Sequence, residues 1–342
     1  MKLFSTTLYQ ISFLFLLLLG LTGCSSLQET GKKPSGQRQE SSKQTPAENS
    51  QQSSEGILPA DIDAYTIQIP GITQDYQLLF LTDTHITLPC PASEEGSSAQ
   101  IESYTQERLT QFMAESGRDS SEIFTAWIDY AQIEQLNGIL FGGDIIDSPS
   151  PSNLKFLNQH LESLQLPYCY TLGNHDWTYP WAYMTEEANT QYLPQLSPYM
   201  EDNPVIHSQD FGEFVVVAID NSSNQIHPAA LEEYKNILSQ GKPVIVLLHV
   251  PLYTESVLEK AMAVWSGGVI LGGGIHGGIY PNETSTEFLY LTTAKDSPVA
   301  AVLAGHIHLS DASHIQGEKE VLQITGDAGY KGKGSILRIT PQ

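Results

Sequence analysis

Five short clusters combine carboxylates, imidazoles and an amide at spacings that suit a bound ion. They are Asp83-Thr84-His85, Gly143-Asp144-Ile145-Ile146-Asp147, Gly173-Asn174-His175-Asp176, the lone His249, and Gly305-His306-Ile307-His308. In extended chain, residues i and i+2 point to the same side, so Asp83 and His85 can grip one cation. His306 and His308 share that spacing, although a turn between them would aim them at different ions. Asp, Asn and His donors without a thiolate suit borderline-hard divalent metals such as Mn, Fe or Zn. Glycines 143, 173 and 305 sit just before the candidate ligands and let the backbone turn sharply there. Taken singly, each cluster also reads as turn residues or as core histidines. Five of the ten histidines nevertheless fall in these clusters.

Positioning them falls to six short apolar runs: 76–81, 138–141, 168–172, 214–219, 244–248 and 299–304. Each is rich in Val, Ile, Leu or aromatics and is bounded by Gly, Pro, Asp or Asn, as buried strands are. Helical periodicity appears over 104–115, 122–135, 153–164 and 231–239. Strands alternating with helices predict an α/β fold with largely buried strands. All but the fourth run lead directly into a cluster. The carboxyl ends of strands form the ligand crevice of such sheets, so the clusters should converge.

In this order the clusters resemble the calcineurin-like metallophosphoesterases, which carry Asp-x-His, Gly-Asp-x-x-Asp, Gly-Asn-His-Asp/Glu, a lone His and Gly-His-x-His. The resemblance covers roughly residues 76–308, and no expected ligand is missing. It implies a sandwich of two mixed β-sheets flanked by helices, with the tail to Arg338 completing the second sheet. It also implies two divalent metal ions. Asp83, His85 and His308 would hold the first, Asn174, His249 and His306 the second, and Asp144 would bridge them. A metal-bridging hydroxide would then attack a phosphate mono- or diester. His175 would stabilise the transition state or protonate the leaving oxygen, with Asp176 orienting its ring. Asp147 reads equally as a carboxylate behind the ligands or as a helix N-cap. It occupies the position where the purple acid phosphatase branch has a Tyr ligand, which argues against an iron–tyrosinate centre.

The 342-residue chain carries 16 Lys and Arg against 39 Asp and Glu, a formal charge of −23. Such acidity opposes nucleic-acid binding, which needs a basic stripe to displace counterions. It also disfavours a nuclease, because beyond residue 57 the only arginines are Arg108, Arg118 and Arg338. Lys2 followed by the apolar run 11–21 reads as a signal peptide over residues 1–23. Leu21-Thr22-Gly23-Cys24 looks like a bacterial lipobox, which implies cleavage before Cys24 and its acylation. Residues 24–56 are rich in Ser and Gln and read as a disordered tether. Residues 57–342 then form one domain in the cell envelope, lipid-anchored to the membrane on its extracytoplasmic side. Three cysteines are too few for a disulfide scaffold, and Cys169 reads as a buried strand thiol.

Three further segments invite a choice. The aromatic run Trp177–Tyr183 could wall a pocket, although packing is the reading preferred. The Gly-rich run 267–278, with His276, could cover the site or serve as a structural loop, and the loop is preferred. The long polar segment 89–121 should add a helix beside the cleft. Two functions compete: a metal-dependent phosphoric ester hydrolase, and a metal-containing lipoprotein of the same fold that binds without turnover.

Overall fold

Along Tyr76–Leu81 every side chain but Gln77 is buried, and successive residues point to opposite faces. Leu78 and Phe80 join one apolar cluster, and Leu79 and Leu81 another. Such a strand must lie between two apolar layers. The same alternation holds for Val215–Ile219 and Val244–Leu247. In the computed structural model, which describes residues 61–265 and 267–342, these layers resolve into two sheets packed face to face with helices outside both.

The first sheet runs β1 (Ile62–Ile69), β11 (Gly334–Pro341), β2 (Tyr76–Leu81), β3 (Gly138–Phe141), β4 (Tyr168–Tyr170). The second runs β5 (Ile206–Asp210), β6 (Val215–Ile219), β7 (Val244–Leu247), β8 (Val299–Ala304), β10 (Val321–Thr325), β9 (Asp311–Ile315). Both are mixed: β2–β3–β4 and β6–β7–β8–β10 are parallel, while β11–β2, β5–β6 and β10–β9 are antiparallel. All six expected strands are present. The tail belongs elsewhere than expected, however. It forms β11 in the first sheet, between β1 and β2, and the second sheet is completed by β9 and β10.

Helices α2 (Ser120–Ile133), α3 (Pro151–Ser163) and α4 (Glu186–Leu196) cover the outer face of the first sheet. Helices α5 (Pro228–Ser239) and α7 (Glu283–Thr293) cover the second. Helix α1 (Ala99–Gln111) is the helix expected in the polar insertion, and α6 (Glu255–Val264) packs with Ile270 and Ile307. Each helix start is capped by a side-chain acceptor, such as Ser98 for α1, Asp119 for α2 and Ser150 for α3, whose first residue is Pro151. The α3 cap is therefore Ser150 and not Asp147. Cys90 and Cys169 are both free and buried; Cys169 lies in the inter-sheet core, where burial pushes its thiol up to about 12. The expected signal peptide, Cys24 and the expected tether lie outside the described residues.

Candidate metal centre

The loops that leave β2, β3 and β8 hold unusual backbone. Asp83, His85, Asp144, His306 and His308 all have positive φ, between 41° and 69°. A side chain in this left-handed region costs roughly 1–2 kcal/mol, so five such residues together mark a site held in place by its surroundings. The support is a ladder between loops. The Asp83 and His85 amides donate to the carbonyls of Gly143 and Asp144, at 3.0 and 2.9 Å, and the Gly305 amide donates to the His249 carbonyl at 2.9 Å. Gly143 does turn through positive φ, but Gly173 and Gly305 serve close approach instead. A Cβ at Gly173 would lie 2.2 Å from Asp144 Oδ1, and one at Gly305 1.8 Å from Thr82 Oγ1.

The ladder gathers six of the seven expected metal ligands into compact donor groups. Asp83, His85 and His308 form one, and Asp144, His249 and His306 another; a third joins His85, Asp144 and His175. Within the first, His85 Nε2 and His308 Nε2 face each other at 3.2 Å, and Asp83 Oδ1 lies 3.2 Å from His308 Nε2. Within the second, His249 Nε2 lies 3.1 Å from His306 Nδ1 and 3.2 Å from Asp144 Oδ2. His249 Nδ1 donates to the Gly142 carbonyl at 2.9 Å, which directs Nε2 into the cluster. The seventh residue, Asn174, precedes His175 and is buried, and its Oδ1 has no hydrogen-bond partner.

These residues fit divalent cations. Atoms ligating one ion from about 2.1 Å stand about 3–3.5 Å apart, which is how the paired ring nitrogens stand here. Facing nitrogens and an orphaned amide oxygen are costly in a dry interior, and a cation satisfies them together. Without one, the charges offset each other. Burial raises the Asp83 pKa, but His308 and His249 outweigh it and hold it at about 2. Burial lowers that of His249, but Asp144 and Asp83 hold it up at about 10. Desolvation wins for His85 and His306, at about 4 and about 3.

His175 sits at the edge, with 30% of its side chain exposed. Its ring is held by Asp147, not by Asp176 as expected. Nδ1 is 3.0 Å from Asp147 Oδ1, while the Asp176 carboxylate accepts the amides of Asp144, Gly173 and Ile146 at 2.7–3.0 Å. Asp176 thus clamps the loops, and Asp147 is the carboxylate behind the donors. Burial lowers the His175 pKa, but Asp144 and Asp147 outweigh it and hold it at about 9.

Three supports escaped the sequence reading. Arg108 of α1 grips Asp147 bidentately, at 2.7 and 2.8 Å. Phe112 lies flat on His85, with ring centroids 4.1 Å apart and planes 2° from parallel. Asn221, just past β6, accepts the amides of His249 and Val250 and donates to the Val250 carbonyl. Only Asn221 had a visible signal, since it follows the one expected strand with no assigned cluster.

His276 lies outside the donor groups, stacked on Tyr253 with centroids 5.9 Å apart. The Gly-rich run is a structural loop in which Gly268 and Gly278 allow backbone contact: a Cβ there would meet the carbonyls of Gly277 and Gly272 at 1.6 and 2.0 Å.

The family profile of the calcineurin-like phosphoesterases matches residues 76–310, from β2 to the last histidine pair. The chain belongs to this family. It is therefore of the metallophosphoesterase kind, a hydrolase family, with clustered His and Asp groups able to bind metal. No curated protein matches the sequence. Similar solved structures include a dimetal phosphatase from Danio rerio, 11% identical with a TM-score of 0.44, covering 75% of this chain and 88% of that one. A purple acid phosphatase from yellow lupin, Lupinus luteus, is 13% identical with a TM-score of 0.47, covering 78% and 46%. A NAD nucleotidase from Haemophilus influenzae is 12% identical with a TM-score of 0.40, covering 77% and 49%. The chain thus spans about half the length of the last two.

Proposed function

We propose that this metallophosphoesterase is a dinuclear metal-dependent hydrolase of phosphate mono- or diesters, anchored on the outside of the cell membrane through acylated Cys24. The observation that carries the catalytic reading is Asp144, whose carboxylate belongs both to the donor group of His85 and to that of His249 and His306. Asp83, His85 and His308 would hold one ion and Asn174, His249 and His306 the other, with Asp144 shared. When bound, the ions would supply a water made nucleophilic near neutral pH and a clamp on the phosphoryl oxygens.

The chain's own part lies with His175. Asp147 occupies its Nδ1 and Asp144 Oδ1 accepts its backbone N–H at 2.7 Å, so Nε2 is the ring nitrogen free to meet a substrate. A pKa held up at about 9 keeps a proton on the ring at neutral pH, ready for the departing oxygen. Asp83, His85, Asp144 and His249 are buried, and polar contacts among buried groups are stronger than in water.

Initial rates on p-nitrophenyl phosphate and bis-p-nitrophenyl phosphate, with Mn and then with chelator, test the reading. Chelator-sensitive turnover is expected, and the faster ester distinguishes a monoesterase from a diesterase. Mn-loaded protein that cleaves neither overturns it and leaves the binding-only alternative. His175→Ala should cost at least about 100-fold in rate while Mn content is retained. The anchor rests on Leu21-Thr22-Gly23-Cys24. No helix among the described residues is long and apolar enough to cross a membrane. Cys24→Ser should move the protein from the membrane to the soluble fraction, and no shift would refute the anchor.

A further inference from the structure

The aromatic run after His175 divides in two. Trp177 and Tyr179 are buried, which is the packing role expected of them, but Trp181 is 43% and Tyr183 52% exposed. They are two of the nine large apolar side chains exposed among the described residues. Both rings are thus open to contact from outside the core.

A chain of ring and polar contacts links Trp181 to His175. Its ring lies flat on Tyr179, with centroids 4.5 Å apart and planes 11° from parallel, and meets the edge of Tyr104 at 5.6 Å. Arg108 sits 5.6 Å from the Tyr104 ring and clamps Asp147, which holds His175. The rim therefore stands on the His175 side of the donor groups. On the reading above, His175 meets the leaving oxygen, and this rim is the aromatic surface that the contact chain joins to His175. Trp181 is fixed along one face by Tyr179, and much of its remaining surface is open. Such a ring is a pre-organised platform that loses little freedom when a second flat ring stacks on it.

We infer that Trp181, backed by Tyr179 and Tyr104, is a leaving-group subsite, and that the preferred substrates are phosphoesters whose leaving group carries a flat aromatic ring system. Trp181 is a specificity residue and not part of the bond-breaking machinery.

The test compares phenyl phosphate with 2-naphthyl phosphate, two esters with leaving phenols of similar acidity but different ring area, on the Mn-loaded full chain. Wild type should favour the naphthyl ester by about fivefold or more in kcat/KM, mainly through KM. Trp181→Ala should bring that ratio close to one, and Trp181→Phe, which restores a flat ring, should recover part of it. Hydrolysis of both esters with the same ratio in wild type and Trp181→Ala overturns the subsite. If neither ester is cleaved, calorimetric binding of both to the Mn-loaded chain decides. A naphthyl preference lost in Trp181→Ala upholds the subsite while rejecting turnover, and equal affinities reject the subsite too.

Discussion

The two donor groups are built by different means. The group of Asp144, His249 and His306 is supported through backbone groups, met by one carbonyl and by the Asn221 side chain. Gly142 orients His249 through its carbonyl, and Asn221 ties the His249 amide and both polar backbone groups of Val250. The group of Asp83, His85 and His308 leans on side chains. Phe112 covers His85, Arg108 steadies the Asp147 carboxylate behind it, and His308 meets the edges of Trp265 and Tyr330. Phe112 and Arg108 come from the segment between the first two clusters, outside the strand framework. Support from parallel strands and their carbonyls needs only the topology. Support from an inserted helix needs particular residues, and this is where one chain can differ from another of the same fold.

Removing what both groups share should have the largest effect. Asp144→Asn is expected to abolish stable Mn loading of both groups and to lower any esterase rate by more than about 1000-fold, read by metal content and initial rates. Retention of a full complement of Mn would break the claim that this carboxylate is common to them.

Next in size is Arg108→Ala, which strips the buried Asp147 of its bidentate partner and leaves it only His175 and His85, a loss of up to about 3–5 kcal/mol, the range for removing one partner of a buried pair. Denaturant melts measure it, and metal affinity should fall about 10–100-fold as His85 and His175 loosen. The pH dependence gives an independent check. Burial would raise the Asp147 pKa, but Arg108, His175 and His85 hold it well below the usual 3.8. A depressed carboxylate stabilises the fold fully above about pH 4 and loses that contribution as pH falls. The stability gap between wild type and Arg108→Ala should therefore be full at pH 6 and narrow by pH 3. A constant gap would mean that Arg108 acts through packing alone.

Asn221→Ala should cost somewhat less, about 2–3 kcal/mol, because it strands two buried amides and a carbonyl without a charge. Its effect on metal should be confined to the second group, so one Mn equivalent is expected to remain. Smallest is Phe112→Leu. It keeps apolar cover over His85 but loses the stacked ring, for about 1 kcal/mol and a few-fold weaker metal binding. Equal effects of Asn221→Ala and Arg108→Ala on both groups would dissolve the contrast.

What could be read in advance follows burial. Strands β2, β3, β4, β6, β7 and β8 are buried on both faces, so each is a continuous apolar run with polar residues at its end. Strands β1 and β9 alternate between exposed and covered residues and carry Asp, Gln or His, so they resemble loops. Register explains the misplaced tail as well. β11 pairs in parallel with β1 from Ile62↔Gly334 to Ile69↔Pro341, and nothing local to Gly334–Pro341 encodes a partner that far away in the chain.

The same division runs through the site. The candidate donors and their order are local facts: Asp83 with His85, Asp144, Asn174, His249, and His306 with His308 are each written at the end of a strand or beside one. Chemistry that needs a given donor at a given spacing leaves its mark in the one-dimensional chain. Which group holds which was decided only by tertiary structure. Asp176 adjoins His175 in sequence and Asp147 stands 28 residues before it, yet Asp147 meets its ring and Asp176 meets backbone amides, because the β3 and β4 loops pack against each other. Arg108 reaches Asp147 across 39 residues. Hydrogen bonds and ion pairs are made between atoms that folding brings within 3 Å, and the length of chain between them is set by topology alone.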